Sequence, residues 1–166
     1  MGAYEFTSYG FGKDAGVAFD ACVRQAQWEF GHGGYTGTIA EKDDFRLLPP
    51  PPKTRIPLDS LVYCAINDGD SVSVRRPFKK GDDPKRVCGS RWDRETNTMV
   101  EYVTERKELP PKVREWVKRV HPIVRDKWGP AGCVEITGKE AQEYRKRHGL
   151  KGKQGSVFLF FGLASS

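Results

Sequence analysis

The chain has 166 residues, of which 37% are hydrophobic and 30% are charged, and its formal net charge is +6. This length suits one domain with a single buried core, and no apolar run approaches the roughly 18 to 20 residues that span a bilayer. Because the N-terminus also lacks the basic and apolar zones of a signal peptide, we predict a cytoplasmic protein without a membrane partner.

The charge is unevenly distributed along the chain. Residues 1–48 hold 4 Lys and Arg against 7 Asp and Glu, whereas the remaining residues hold 24 against 15. Polyanion binding is therefore predicted for the later part of the chain, although the same excess can simply serve solubility.

The four cysteines show no metal-like spacing. Cys22, Cys64, Cys88 and Cys133 are scattered, and no CxxC pair occurs. In a cytosolic chain this pattern indicates buried, reduced thiols; in a secreted one, three disulfide pairings would remain open. No cofactor or metal site is predicted.

The chain opens with a strand and a helix. Aromatic and β-branched residues at 3–9 predict a strand, which Gly10 to Gly12 interrupts. Asp14 is a suitable N-cap for a helix over 14–30, with apolar residues at helical spacing and Gly31 at its end. A short strand near 44–48 follows a glycine-rich loop.

The middle of the chain predicts two hairpins. Pro49–Pro52, with Pro57 close behind, is a stiff crossing segment at 49–57 within one domain. An Asp-Gly turn joins β-type runs at 61–66 and 71–75. A longer loop joins the runs at 86–92 and 98–104.

The last third predicts two helices and two strands. Pro110 and Pro111 open a helix, which Pro122 should kink or split. A strand at 133–136 leads to a helix with a capping box from Thr137 to Glu140, ended by Gly149. The apolar run at 156–163 indicates a strand buried on both faces.

These elements predict a single α+β domain over residues 1–166. Its sheet should be mostly antiparallel, with about three helices packed on it and the C-terminal strand in the centre.

The glycine-rich loop is the first candidate site. Glycines let the backbone approach a bound group, and a run of them can aim several N–H donors at one anion. The loop follows the C-terminus of a helix, which is the wrong end of the helix dipole for an anion, so it is neither a P-loop nor a dinucleotide fingerprint. The predicted ligand or phosphate contacts are Gly33, Gly34, Tyr35, Thr36, Thr38 and Lys42.

Two residues of this region could support catalysis. His32 lies among glycines, outside any apolar periodicity, and could donate or accept a proton near neutral pH. Glu41 could act as a general base beside Lys42. The alternatives are an exposed loop histidine and a surface ion pair of small energetic value. His121 and His148 are weaker candidates, predicted to satisfy a carbonyl and a helix dipole.

Two basic clusters form the second candidate site. Such clusters hold phosphate backbones by ion pairing and counterion release, and interleaved aromatics can stack on unpaired bases. A solvated basic rim is an equally good interpretation. The predicted nucleic-acid contacts are Arg75, Arg76, Lys79, Lys80, Lys85, Arg86, Arg91 and Trp92 in the first cluster, and Arg145, Lys146, Arg147, Lys151 and Lys153 in the second.

The string GHGGYTGTIAEK, with the helix before it and the FFGLASS ending, resembles short hypothetical proteins of bacteriophages and actinobacteria. The resemblance covers mainly residues 3–48 and the last strand. It implies a phage setting and carries no activity, cofactor or catalytic residue.

Three hypotheses follow. The leading one is a small nucleic-acid- or nucleotide-binding protein that uses the glycine-rich loop and the basic clusters. The second is an enzyme acting on a phosphorylated or nucleotide substrate, with His32 as acid or base. The third is a protein–protein interaction module, such as an inhibitor. No GxSxG, HExxH or GxxxxGK[ST] motif assigns an enzyme class.

Overall fold

The chain forms an α+β fold with two sheets, seen in a computed structural model that describes residues 2–166. The strands are β1 (Ala3–Gly12), β2 (Phe45–Leu47), β3 (Ser71–Pro77), β4 (Val87–Asp93), β5 (Thr98–Glu108), β6 (Ala131–Ile136) and β7 (Ser156–Ser165). The α-helices are α1 (Ala15–Phe30), α2 (Leu58–Asn67), α3 (Pro111–Val124) and α4 (Gly138–Arg147). Short 3₁₀ turns occur at Ile39–Glu41 and Pro84–Arg86.

The larger sheet, sheet A, has the strand order β1-β7-β6-β2. β7 is antiparallel to both β1 and β6, and the short β2 is parallel to β6. The C-terminal strand is therefore central, as predicted. Its side chains explain why: Phe158 and Phe160 pack on one side of the sheet with α1, and Leu159 and Phe161 pack on the other side with α2 and α3. A strand without a polar face is stable only between two layers.

Helix α1 begins and ends as the sequence predicts. The Asp14 side chain accepts a hydrogen bond from Val17 N at 2.9 Å, and Gly31 caps the C-terminus through its N–H to Gln27 O. The strand before it runs through Gly10 to Gly12 without the predicted break, and α1 packs closely against this part of the strand. A Cβ at Gly10 would lie 2.8 Å from Ala18 O, so only glycine permits this approach.

The first predicted hairpin is wrong. Residues 61–66 lie within helix α2, and the turn at 68–70 joins this helix to β3. Leu61, Val62, Ala65 and Ile66 are buried while Tyr63 is 61% exposed, which is the one-sided burial of a helix rather than the two-fold alternation of a strand. Short apolar runs are compatible with either structure, and burial against α3 decides in favour of the helix.

The second predicted hairpin is confirmed and consists of β4 and β5. These strands belong to a three-stranded antiparallel sheet with the order β3-β5-β4, which we call sheet B. On its inner face Val72 joins the core that contains α2 and α3, and Val74 packs against that core. Most other side chains of sheet B are exposed. Sheet B therefore reaches away from the main body of the fold.

Two smaller predictions about helix boundaries need correction. α3 continues through Pro122 to Val124, so of the two predicted effects of Pro122, a kink or a split, the split does not occur. Thr137 occupies the N-cap position of α4, but its side chain makes no capping hydrogen bond, so the predicted capping box is not formed. Gly149 does end α4 in a left-handed conformation, followed by a hydrogen bond from Leu150 N to Arg145 O.

Candidate functional site

The first half of the glycine-rich loop is open to solvent. No group lies within 4 Å of a Cβ placed at Gly31, Gly33 or Gly34. His32 is exposed, and the ring of Tyr35 is 55% exposed. Among the residues that the structure describes, His32 has no hydrogen-bond partner. The predicted acid or base is thus accessible, but it has no group to orient it.

The second half of the loop is held by its own side chains. Thr36 donates from its backbone N and from Oγ1 to Glu41 Oε1 at 3.0 and 2.9 Å. The Thr38 hydroxyl caps the 3₁₀ turn through Ala40 N at 3.2 Å. Partial burial acts to raise the pKa of Glu41, but the hydrogen bonds from Thr36 and Tyr35 outweigh it and hold that pKa below its ordinary value. Glu41 is therefore an ionised brace of the loop.

Gly37 fixes the position of this half of the loop. Its N–H donates to Ser165 O at 2.9 Å, and its φ is +69°. A Cβ at this position would lie 2.8 Å from the Tyr4 ring. At least this glycine of the motif is explained by packing on β1 and β7, without a ligand.

Lys42 lies inside the fold. Only 3% of the residue is exposed, and its Nζ donates to the carbonyl oxygens of Asp126, Lys127 and Gly129 at 3.0, 3.0 and 2.8 Å. Burial lowers the pKa of Lys42, and the charge of Asp126 opposes part of that effect. An ammonium group has three donors, and all three are used. Lys42 is thus not available for the predicted phosphate contact in this structure.

A hollow of about 470 Å³ lies beside the loop, between β1 and α1. Gly37 and Thr38 line it, together with Glu5 and Glu29, and none of its lining residues is Lys or Arg. His32, Tyr35 and Glu41 are not part of the lining. The predicted loop residues therefore do not converge on one cleft, and the charge beside the loop is negative, which disfavours a phosphate.

The first basic cluster meets on one face of sheet B. Directly opposed residues of antiparallel strands share a face, and the pairs Arg75 with Thr104, Ser73 with Arg106 and Arg91 with Val100 define it. The same face carries Tyr102 of the central strand β5, between Thr104 and Val100. We call this exposed surface, defined by Arg75, Arg91, Tyr102 and Arg106, the arginine face.

Tyr102 is the functional candidate that the sequence did not single out. It lies diagonally opposite both Arg75 on β3 and Arg91 on β4. Such diagonal positions are about 7 to 8 Å apart, which is within reach of long side chains. The half-buried Tyr102 therefore occupies a position on this face with an arginine position on each neighbouring strand. The alternation of β5 could have indicated it, but only once the strand order was known.

Other members of the first cluster are placed differently. Arg76 points to the opposite face, where it forms a two-bond ion pair with Asp82 and also contacts Glu105 at 3.2 Å. The hydrogen bonds from Arg76 hold the pKa of Asp82 far below its ordinary value. Trp92 also lies on that opposite face, beside Met99. Arg76 is therefore largely neutralised by its partners.

Two further features lie near the arginine face: exposed cations in the loop before β4, and a hollow at the turn between β4 and β5. Lys79, Lys80, Lys85 and Arg86 are all exposed. The hollow, of about 690 Å³, is lined by Arg91, Trp92, Asp93, Arg94, Glu95 and Tyr102. Arg91 and Tyr102 thus share a recess in the size range of ligand pockets, which Asp93 and Glu95 also line.

The second basic cluster lies at the end of α4 and just beyond. Arg145 donates to the carbonyls of Lys153 and Gly155 and stacks over the Phe11 ring at 4.9 Å. Lys146, Arg147, Lys151 and Lys153 are exposed. Cations in the last turn of a helix are also stabilised by its dipole, which gives Arg145, Lys146 and Arg147 a structural explanation. Lys151 and Lys153 lie beyond the helix end.

The remaining histidines and the cysteines have local explanations. His121 Nδ1 lies 2.8 Å from Ala65 O of α2, and His148 packs on Tyr144. Burial raises the pKa of the Cys22 thiol to about 11 and that of Cys133 to about 12. Cys88 is exposed rather than buried, which corrects the prediction for that residue. Over residues 2–166, no group of three or more metal-ligating side chains comes together.

Comparison with known proteins gives no match: neither a family model, nor a curated protein, nor a solved structure corresponds to this chain. The resemblance to phage proteins therefore stays a prediction. Within the described residues, no helix combines the length and apolar character that a membrane crossing requires.

Proposed function

We propose that this protein binds single-stranded nucleic acid on the arginine face of sheet B. The observation that carries the proposal is the position of Tyr102 on the central strand, with Arg75 and Arg91 on the flanking strands. Tyr102 is half-buried, and a partly exposed ring on a sheet can stack a base of any sequence, while arginines at neighbouring positions can bind the adjoining phosphates.

The geometry favours unpaired strands over a duplex. Stacking on Tyr102 requires a base whose face is free, which a duplex does not offer. The exposed cations of the loop at 78–86 lie beside β4 and extend the positive surface. The glycine-rich loop and Lys42 have no part in this proposal, and we assign no enzymatic role to His32.

Fluorescence anisotropy with a labelled oligothymidylate and a labelled oligouridylate tests this proposal. Charge reversal of Arg75 and Arg91 together should weaken binding by about tenfold or more and should flatten the salt dependence by about 1.4 in log–log slope. The matched control reverses Lys13 and Arg24, which are exposed on the acidic part of the chain. It changes the net charge equally and should leave most of the affinity intact.

The stacking step has its own test. Tyr102→Leu should weaken binding by about 1–3 kcal/mol, the range found for one stacked base. Tyr35→Leu, which removes an exposed ring from the glycine-rich loop, is the control and should have little effect. Equal losses from both tyrosine variants, or from both charge reversals, would rule out the arginine face as the specific site.

We also propose a cytoplasmic location. The four cysteines are unpaired in the described part of the chain, and three of them are buried in the core. Unpaired thiols persist in a reducing compartment. Alkylation of the unfolded protein without prior reduction, followed by mass spectrometry, should add four alkyl groups, and fewer would indicate disulfides and an oxidising compartment.

A further inference from the structure

The free edge of β1 belongs to sheet A, whereas the proposed nucleic-acid surface belongs to sheet B, and the two surfaces have opposite charge. β1 is the outer strand of sheet A. Ser166 N donates to Gly2 O, so the even-numbered residues of β1 direct their backbone N–H and C=O groups toward β7. Tyr9 O, in contrast, accepts from Cys22 Sγ on the side of the strand away from β7. Because the directions alternate along a strand, Glu5 and Thr7 direct their backbone N–H and C=O groups outward. In the part of the chain that the structure describes, these groups have no partner.

Two helices flank this edge. On the α1 side is the hollow of about 470 Å³, to which the helix contributes Gln25, Ala26, Glu29 and Phe30. On the α2 side is a second hollow of about 220 Å³, to which the helix contributes Asp59, Val62, Tyr63 and Ile66. Both hollows are also lined by Glu5, Phe6 and Thr7 of β1. The strand edge therefore runs along a groove with a wall on each side, which we call the β1 groove.

The β1 groove is negatively charged. The carboxylates of Glu5, Glu29 and Asp59 accept hydrogen bonds from the neutral groups Asn67 Nδ2, Gln25 Nε2 and the Tyr9 hydroxyl. None of the three forms an ion pair within residues 2–166, and neither hollow is lined by Lys or Arg. These carboxylates are thus free to pair with cations of a partner.

The groove also offers apolar contacts. Phe30 is 60% exposed and Tyr63 is 61% exposed, one on each wall. A strand that pairs with β1 would direct alternate side chains to the two walls, so each wall would receive every second residue. Main-chain hydrogen bonds then supply affinity, and the walls select the side chains.

We propose that the β1 groove binds an extended peptide segment of a partner protein, in which lysine or arginine alternates with apolar residues. The open edge provides the pairing. Glu5 and Asp59 on the α2 side would receive the basic residues, and Ala26 and Phe30 on the α1 side would receive the apolar ones. A second copy of this chain is a poorer occupant, since a β1–β1 pair would bring two identical acidic grooves together. This inference is independent of nucleic-acid binding by sheet B.

The probe is a short labelled peptide in which lysine and valine alternate, measured by anisotropy with the full chain. It should bind, and its counterpart with glutamate in place of lysine should not. A third peptide with the same side chains but N-methylated on alternate backbone amides should lose about tenfold or more in affinity, because it cannot complete the pairing. Equal binding of the methylated peptide would contradict the proposal, as would no binding of the first peptide.

The corresponding change in the protein is Thr7→Pro, which removes one outward backbone N–H from the edge of β1. Proline is tolerated at the outer side of an edge strand, and circular dichroism checks the fold. This variant should lose peptide affinity by about tenfold and keep its oligonucleotide affinity, whereas Thr7→Val, which keeps the N–H, should retain both. Full peptide affinity in a folded Thr7→Pro variant would overturn the proposal. Concentration-dependent dimers of the wild type that Thr7→Pro abolishes would identify a second copy as the occupant, and would also overturn it.

Discussion

The glycine-rich loop and the arginine face differ in how their chemical groups are used. In the loop, the carboxylate of Glu41 and the ammonium of Lys42 are bound to groups of the same chain. On the arginine face, the side chains of Arg75 and Arg91 have no ion-pair partner within residues 2–166, and Tyr102 occupies the strand position between theirs. The loop is conspicuous in the sequence, but the face has the free groups that recognition requires.

The charge asymmetry of the sequence follows the same division. The acidic N-terminal part forms β1 and α1, and their carboxylates line the groove at the edge of sheet A. The basic part includes sheet B, whose outer surface carries the arginines. One fold therefore presents surfaces of opposite sign. A bias in composition indicates a ligand only after the strands show which side chains share a surface.

Substitution of Lys42 should give the largest effect on stability. Lys42→Met removes the donor shared by three carbonyls and should lower the free energy of unfolding by about 1–3 kcal/mol. The matched control is Lys13→Met at an exposed position. Urea denaturation measures the change, and oligonucleotide affinity of the folded fraction should stay unchanged. A loss of affinity without a loss of stability would show that Lys42 contacts the ligand after all.

A smaller effect is expected at Glu41, with a defined pH dependence. Its pKa is lower in the folded protein, so its stabilising contribution is present above the ordinary glutamate pKa of about 4.3 and disappears as the pH falls through the folded value. Glu41→Gln keeps the acceptor but not the charge, and should cost about 1 kcal/mol at neutral pH.

The stability difference between wild type and Glu41→Gln should also be measured at low pH. Denaturation curves of wild type and Glu41→Gln should converge well below the ordinary glutamate pKa of about 4.3, because the wild-type carboxyl is then protonated. A difference that stays constant across this range would mean that the charge of Glu41 does not brace the loop.

The smallest effect is expected at His32. Its side chain is exposed and has no hydrogen-bond partner among the described residues, so His32→Ala should change the free energy of unfolding by at most about 0.5 kcal/mol. Oligonucleotide affinity should also stay within about twofold of wild type. A strong loss of oligonucleotide binding in this variant would restore the loop as the functional site.

Much of the fold was predictable because its signals are local. Asp14 and Gly31 cap α1, and the uninterrupted apolar run of β7 places that strand in the centre of sheet A. The incorrect prediction of a strand where α2 forms arose because the deciding contacts are not local. Residues 61–66 have a composition suited to both structures, and the choice is made by packing on α3, which lies about fifty residues further along the chain.

The candidate site was harder to predict, since its decisive contacts are not local. The carbonyls that bind Lys42 belong to residues 126–129, and nothing near Lys42 in the sequence indicates them. Tyr102 acquires its two arginine neighbours only through the pairing of β5 with β3 and β4. Sequence clustering identified Arg75 and Arg91, but it also included Arg76, which points to the opposite face.

The central claim is that the arginine face, rather than the glycine-rich loop, contacts nucleic acid. Backbone amide resonances of the isotope-labelled protein, followed during titration with oligouridylate, test it directly. The chemical-shift changes should concentrate at Arg75, Arg91 and Tyr102 and should saturate together with the anisotropy curve. Shifts concentrated at residues 31–42, with β3 and β5 unchanged, would contradict it.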